Sequence, residues 1–290
     1  MKRPRGAARS GYGFLLPAVG LVTAVALGPM LYTAWLSLRR QMPIFGISDF
    51  IGTENFRYMV HDARFWNATA ATAFFVVESV GLEIALGLAF ALLLNREFRG
   101  RSVARALVLI PWAVPGVVVA RFWQLILNTD TGVLNYLLGT HFNWLGDPFW
   151  AMQAVVAADV WKTTPFVVLL LLAGLQVIPP ELYRAARMDG ANTWQRFRHV
   201  TLPLLKSVIL LVLLFRTMDA VRIFDVIFVL TGGGPANQTE TLVVYAYKSL
   251  YRMLQFGYGS ALSVATFLFV LALSLVYLQL LRRTWRVREG

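Results

Sequence analysis

The residues of this chain that could bind or react lie mostly inside apolar stretches. Arg216, Asp219, Arg222 and Asp225 recur every three residues with alternating sign, in a run (Ser207 to Leu230) otherwise rich in Leu, Val, Ile and Phe. Asp159, Lys162, Thr163 and Thr164 interrupt a second run, beside Trp161, Pro165 and Phe166, and Glu78 and Glu83 interrupt a third. A charge within an apolar span is costly, so it usually faces a cavity or a partner. Helical neighbours at i,i+3 can pair, but each such step turns the helix by about 60°, so the Arg216–Asp225 row sweeps nearly half its circumference. That directs Arg216 and Asp219, nearer mid-span, toward a pathway, and Arg222 and Asp225 toward neighbouring helices. The polar and aromatic mixture around Asp159 suits a hydroxyl-rich ligand; the alternative is an Asp159–Lys162 pair that only holds helices together. Glu78 and Glu83 lie about 140° apart on a helix and do not form one site. They read as packing against polar neighbours, with a proton relay as the alternative. Arg121 and Gln124 share a face and are directed toward the outer part of the pathway. His61, His141 and His199 are far apart without metal-ligand spacing, and there is no cysteine, so neither a metal site nor a thiol nucleophile is expected. No residue is expected to perform covalent chemistry.

The elements that must hold these residues follow from composition. Of 290 residues, 58% are hydrophobic and 14% charged, against about 25% charged in a soluble domain. Six apolar segments are legible, running Phe14 to Leu36, Ala68 to Leu94, Ala106 to Leu127, Met152 to Ile178, Ser207 to Leu230 and Ser260 to Leu281. Each is long enough, at about 20 residues, to cross the hydrocarbon core as a helix. Pro111 and Pro115 predict that the third kinks or starts late. The first follows a basic tail (residues 1–13) and resembles a secretory signal, but its apolar run exceeds the roughly 7–15 residues of a cleaved one. It reads as a retained helix over 14–36. Lys and Arg number seventeen in the N-terminal tail, the 96–105 loop, the 184–206 loop and the C-terminal tail, against six in the loops of the other side. The bias places both termini in the cytoplasm of a plasma (inner) membrane protein. The net charge of +12 borders the spans instead of forming a patch, which argues against nucleic acid as a partner.

Between the fourth and fifth spans runs Pro179-Pro180-Glu181-Leu182-Tyr183-Arg184-Ala185-Ala186-Arg187-Met188-Asp189-Gly190-Ala191, continuing through Phe197 to Leu202-Pro203. The proline pair starts a short helix with Glu181 in its first turn, where a carboxylate suits the helix dipole. Gly190 can close it in the left-handed conformation, and Asp189 or Asn192 can cap a second short helix. On physics alone this basic hairpin could be a mere interfacial connector. Its residue pattern, however, resembles the cytoplasmic loop of permease subunits of binding-protein-dependent ABC importers. That loop runs Glu-Ala-Ala, two variable residues, Asp-Gly-Ala, then Phe and Leu-Pro. Here Ala185, Ala186, Asp189, Gly190, Ala191, Phe197, Leu202 and Pro203 fall in register, while Arg184 stands at the family's glutamate position. The run Val226-Ile227-Phe228-Val229-Leu230-Thr231-Gly232-Gly233-Gly234-Pro235, followed by Thr239 and Thr241, is by itself only a tight bare-backbone turn. Beside the loop, it and Ile110-Pro111-Trp112-Ala113-Val114-Pro115 resemble the carbohydrate-importer permeases of the maltose, trehalose and glycerol-3-phosphate kind.

The resemblance implies an all-α, six-helix membrane protein of the type I ABC importer permease fold, with a five-helix core over 65–285 and a coupling loop over 179–203. It implies ATPase coupling through Glu181, Arg184, Ala185, Ala186, Asp189, Gly190, Ala191 and Phe197; with Arg184 in place of glutamate, the family's usual ion pair to the ATPase is not available. It implies substrate-pathway positions at Gly116, Asp159, Lys162, Thr163, Phe166, Arg216, Asp219, Ala220 and Ile223. Several of these are not the family's residue types, so the sugar need not be maltose. The implied partners are a second, homologous permease, two ATPase subunits, an extracytoplasmic solute-binding protein and membrane lipid. The chain itself would bind no cofactor, since ATP and Mg belong to the ATPase. The implied function is half of the translocation pathway for a di- or oligosaccharide such as trehalose or maltose. The alternatives are a permease for glycerol-3-phosphate or a similar solute, and more remotely a membrane-embedded transferase.

Overall fold

The computed structural model describes residues 5–286, with side chains from Leu15 to Arg282. Lys2, Arg3 and Arg288, counted above among the basic tails, lie outside the described residues. The chain divides into two compact units, one of residues up to Asp62 with Tyr245–Phe267, the other of Ala63–Val244 with the segment from Leu268 on.

In the first unit, α1 (Arg5–Ser37) is helical already from Arg5, inside the stretch read as a tail, and its described side chains are largely exposed and apolar. It leads into an antiparallel hairpin, β1 (Arg39–Met42) and β2 (Ile47–Phe50), with Arg39 opposite Phe50. The Arg39 guanidinium lies 4.5 Å from the Trp35 ring centroid and donates to the Ser48 carbonyl at 2.6 Å, a cation–π contact reinforced by a hydrogen bond. The amide of Asn55, on α2 (Glu54–His61), donates to the carbonyls of Ser37 and Arg39 at 2.8 and 2.9 Å. The segment read only as an outer loop is therefore a built substructure.

The second unit begins with α3 (Ala63–Leu94). Next come α4 (Arg101–Ala113) and α5 (Gly116–Ile126), which meet at 94°. The sharp break has a local cause: Pro115 lacks an N–H and holds the preceding Val114 extended, at φ −77 and ψ 130. The third apolar segment is thus a bent pair, as its two prolines predict. A short helix, α6 (Val133–Leu138), precedes α7 (Pro148–Gln176), which starts with Asp147 accepting from the Trp150 N–H at 3.0 Å and with Pro148 in its first turn. Sixteen of the 29 residues of α7 are buried, which makes it the central helix of this unit.

The hairpin follows as α8 (Pro180–Met188) and α9 (Thr193–Arg196). The second arm is not separate, because α9 runs through a π turn at Phe197–Thr201 into α10 (Leu202–Val221). A proline clashes with the carbonyl four residues back; for Pro203 that is His199, inside the wider π turn, which accommodates it. The helix breaks again before α11 (Asp225–Leu230), so the fifth apolar segment is also two pieces. The glycine-rich turn after α11 is tied by the Thr231 and Thr239 hydroxyls, 2.8 Å apart, and by Thr239 donating to the Gly234 carbonyl at 2.7 Å. Across that turn, Arg64 grips the fully buried Glu240 through two bonds of 2.7 and 2.9 Å. The last helices are α12 (Leu242–Tyr247) and α13 (Phe256–Arg286). In the first unit, Tyr245 and Tyr258 both donate to Asp62, at 2.5 and 2.6 Å. Among the described residues, five helices are long and apolar enough to cross a membrane, or up to six if the α4–α5 pair is one span.

Candidate functional site

The middle of α3, α7 and α10 encloses one cluster of buried charges. Glu83 from α3 is fully buried, Arg216 from α10 is 3% exposed and Asp159 from α7 is 6% exposed. The three are joined as one cluster. Arg216 grips Glu83 bidentately, Nε on one carboxylate oxygen and Nη2 on the other, the second bond being 2.8 Å. Its Nη2 also reaches Asp159 Oδ2 at 3.3 Å, and Nη1 donates to Asp219 one turn along α10. The Thr163 hydroxyl lies 2.7 Å from Glu83 Oε1 and 2.6 Å from the Asp159 carbonyl. The planar guanidinium fork explains why a single arginine can serve three carboxylates.

The charge balance gives this cluster a direction. One cation faces three carboxylates, and the Asp219 side chain remains 64% exposed although Arg216 holds it. The network therefore ends in an oriented carboxylate open to its surroundings, a hydrogen-bond acceptor fixed from behind. Such a group is chemically suited to hydroxyl donors and unsuited to a free anion.

Four of the nine residues assigned to a pathway, Asp159, Thr163, Arg216 and Asp219, come together here; the rest do not. Lys162 is half-buried and forms no ion pair with Asp159, whose charged partner is Arg216. Phe166 stacks on Trp112 with centroids 5.8 Å apart. Ala220 and Ile223 are buried in an apolar cluster with Val119, Val155 and Ile227, so their side chains line no opening. Spacing directs Arg216 to an opening and Arg222 to neighbouring helices; the structure reverses the two. Arg216 is enclosed, whereas Arg222 is exposed and donates to the Met218 carbonyl of its own helix at 3.0 Å. Asp225 does lie against a neighbour, the start of α5. Gln124 donates to the Val229 and Leu230 carbonyls at 2.6 and 3.1 Å, capping the end of α11, and accepts from Arg121 at 2.8 Å.

Glu83 is the residue that sequence reasoning misses, having assigned it to packing alongside Glu78. Glu78 accepts from Gln153 at 3.0 Å, in keeping with a packing role. The available signal was a count: arginines within apolar spans are few, and a glutamate at mid-span needs one of them.

Gly116 is buried where α5 begins, and a Cβ there would fall 1.6 Å from Asp225 Oδ2. A carboxylate suits a helix N-terminus by about 0.3–1 kcal/mol, and only glycine lets it sit so close. Gly116→Ala is therefore expected to displace Asp225 and to lower stability by about 1–3 kcal/mol. In a thermal melt of the purified assembly, the double variant with Asp225→Ala should recover part of that loss; strictly additive losses would refute the contact.

The hairpin is built differently, for exposure. No residue of α8 is buried. Gly190 has φ +80, and the Ala191 and Gly190 N–H groups bond the Ala186 and Arg187 carbonyls at 2.9 and 3.1 Å, the six-to-one and five-to-two pair of a Schellman turn. Asn192, not Asp189, caps α9, reciprocally with Gln195. The Tyr183 hydroxyl lies 3.0 Å from Thr201 Oγ1 and pins α8 to the base of the next span. Glu181, Arg184, Ala185 and Asp189 are exposed, and Ala186, Ala191 and Phe197 half-buried. Arg184 finds an acid within the hairpin itself, Glu181, at 3.8 Å; with both side chains in solvent, such a pair contributes little.

Apolar spans broken at prolines, buried charges at their centre and an exposed hairpin between two of them make the fold that of a type I ABC importer permease. A chain of a bacterial ABC transporter involved in the import of the acidic polysaccharide alginate has the same fold, with a TM-score of 0.83 at 23% identity over 94% of each chain. The chain belongs to the family of binding-protein-dependent transport system inner membrane components, whose model matches residues 83–286. It is thus the membrane-embedded permease component of such a transport system. It is 46% identical to the trehalose/maltose transport system permease protein of Thermococcus litoralis, over 94% of this chain and 93% of that one. It is 40% identical to the trehalose transport system permease protein of Mycobacterium tuberculosis, over 94% and 88%.

Proposed function

We propose that this chain forms half of the translocation pathway for a trehalose- or maltose-like di- or oligosaccharide, in an importer driven by ATP hydrolysis on separate subunits. The observation that supports this reading most is the near full-length similarity to permeases named for trehalose and maltose. The polar network agrees with it: Asp219 offers a fixed acceptor to sugar hydroxyls, while three carboxylates around one guanidinium would repel a glycerol phosphate. In this reading a second, homologous permease completes the pathway and a solute-binding protein delivers the sugar from outside. Two ATPase subunits holding ATP and Mg dock on the hairpin of 179–203, which lies in the cytoplasm with both termini. The exposed Leu182 and Met188 beside Glu181 and Arg184 are what such a docked subunit would cover. Transport is by alternating access, and this chain contributes no covalent step.

The test is reconstitution in liposomes. The chain alone is expected to take up no sugar; with the second permease, the ATPase and the binding protein, trehalose or maltose should enter and stimulate ATP hydrolysis. Uptake by the isolated chain would refute the shared pathway. A full assembly that ignores both disaccharides but is stimulated by glycerol-3-phosphate would replace the sugar by the organic phosphate.

A further inference from the structure

A cleft of about 560 Å³ opens beside the hairpin, lined among others by Leu92, Arg96, Tyr183, Trp194, Arg196 and Phe197. Its walls are apolar and its charged groups are all basic. Leu92 lies in the last turn of α3, where the apolar span gives way to Asn95 and Arg96. The cleft therefore sits at the depth where hydrocarbon meets headgroups. Trp194, 65% exposed, presents there the amphipathic ring favoured at that boundary. Among the described residues neither arginine has a carboxylate partner: Arg196 donates from Nη2 to Thr193 Oγ1 at 3.1 Å, while its Nε is buried without a partner. The two segments that flank the cleft, 95–105 and 179–206, carry nine Arg and Lys against three Asp and Glu. On the face of α3 that carries Leu92, the preceding turns present Leu88, half-buried, and Ala89 and Ala85, exposed, so the apolar wall continues along the span.

We propose that this cleft binds an anionic phospholipid, its phosphate on Arg96 and Arg196 and an acyl chain along Leu92, Leu88 and Ala85. Two unpaired guanidinium groups above an apolar wall match a phosphodiester that carries hydrocarbon; a free phosphate would have no use for that wall. Basic pockets between helices at the membrane boundary attract such headgroups. A lipid seated there touches both α3 and the first turns after Asn192, so it would brace the hairpin against the membrane face. This holds whichever solute the protein carries.

The test uses the assembled transporter in phosphatidylcholine nanodiscs containing a minor fraction of brominated phosphatidylglycerol or, in parallel, brominated phosphatidylcholine. Bromine quenches nearby indole, and the signal of Trp194 is isolated by subtracting a Trp194→Phe variant. Stronger quenching by the phosphatidylglycerol is expected, and Arg96→Gln or Arg196→Gln should each weaken that preference by about fivefold. Arg196→Lys, which keeps the charge, should retain most of it and controls for misfolding. Equal quenching by the two lipids, or a preference that survives in the Arg96→Gln/Arg196→Gln double variant, would overturn the proposal. So would absence of quenching by either lipid, which would mean that a protein subunit covers the cleft. Inorganic phosphate added to bromine-free phosphatidylcholine discs should leave Trp194 emission unchanged; a saturable change abolished by the same two variants would assign the site to free phosphate.

Discussion

Arg216→Ala is expected to cost the protein about 3–5 kcal/mol, because it strands the buried carboxylates of Glu83 and Asp159 without a cation. In detergent this should appear as a lower melting temperature and a smaller yield of assembled complex, ahead of any effect on uptake. Spacing alone puts Arg216 on the pathway and leads to the opposite expectation, an alanine variant that assembles normally and only transports less. Burial at 3% reverses it. A companion variant separates stability from function. Arg216→Met combined with Glu83→Leu and Asp159→Asn replaces the buried ions by neutral groups of similar size, an exchange that is often tolerated. We expect it to recover much of the lost assembly but not sugar uptake, since Asp219 would have lost the guanidinium that orients it. Normal uptake by this triple variant would show that the network only holds helices together. A parent-like melt for Arg216→Ala would show that it does not even do that.

Gly190→Val is expected to abolish stimulated ATP hydrolysis and transport together while leaving membrane insertion and pairing with the second permease intact. The cause is purely conformational. At φ +80 a residue with a Cβ is strained by roughly 1–2 kcal/mol, a branched one more, and nothing lies within 4 Å that the side chain would strike. The strain falls on the Schellman turn that sets the angle between α8 and α9, and α8 has no buried residue to resist a change of course. A pull-down of the ATPase by each variant, beside hydrolysis rates in liposomes, reads the effect. Arg184→Glu is the companion. It removes the local pair with Glu181 and places two acids three residues apart, so it should be tolerated only if the ATPase cleft supplies a basic group. A Gly190→Val protein that binds the ATPase and transports like the parent would reduce the hairpin to a connector.

The difference between these two sites shows what could be read in advance. The hairpin was legible almost residue by residue because its structure is local. A proline pair, a glycine followed by a capping residue, and helix ends within a dozen positions are decided by interactions between near neighbours. Even so, the π turn at 197–201, which lets α9 run into α10 past Pro203 without a break, was not legible there. The kink at Pro115 was legible for the same local reason, though not its 94° magnitude.

By itself the sequence determined that this protein lives in a membrane, where its apolar segments lie, that Pro111 and Pro115 bend the third, and the motif by which its family is known. Each of these depends on composition or on residues close along the chain. The tertiary structure alone decided which charges meet. Glu83, Asp159 and Arg216 lie on three helices, 57 residues or more from Arg216 along the chain. No periodicity on one helix reports the rotation of another, so spacing could neither recruit Glu83 nor tell the enclosed Arg216 from the exposed Arg222. In the low-dielectric interior a buried guanidinium is stable only with carboxylates around it, and that requirement is met across helices, where the linear pattern carries no information.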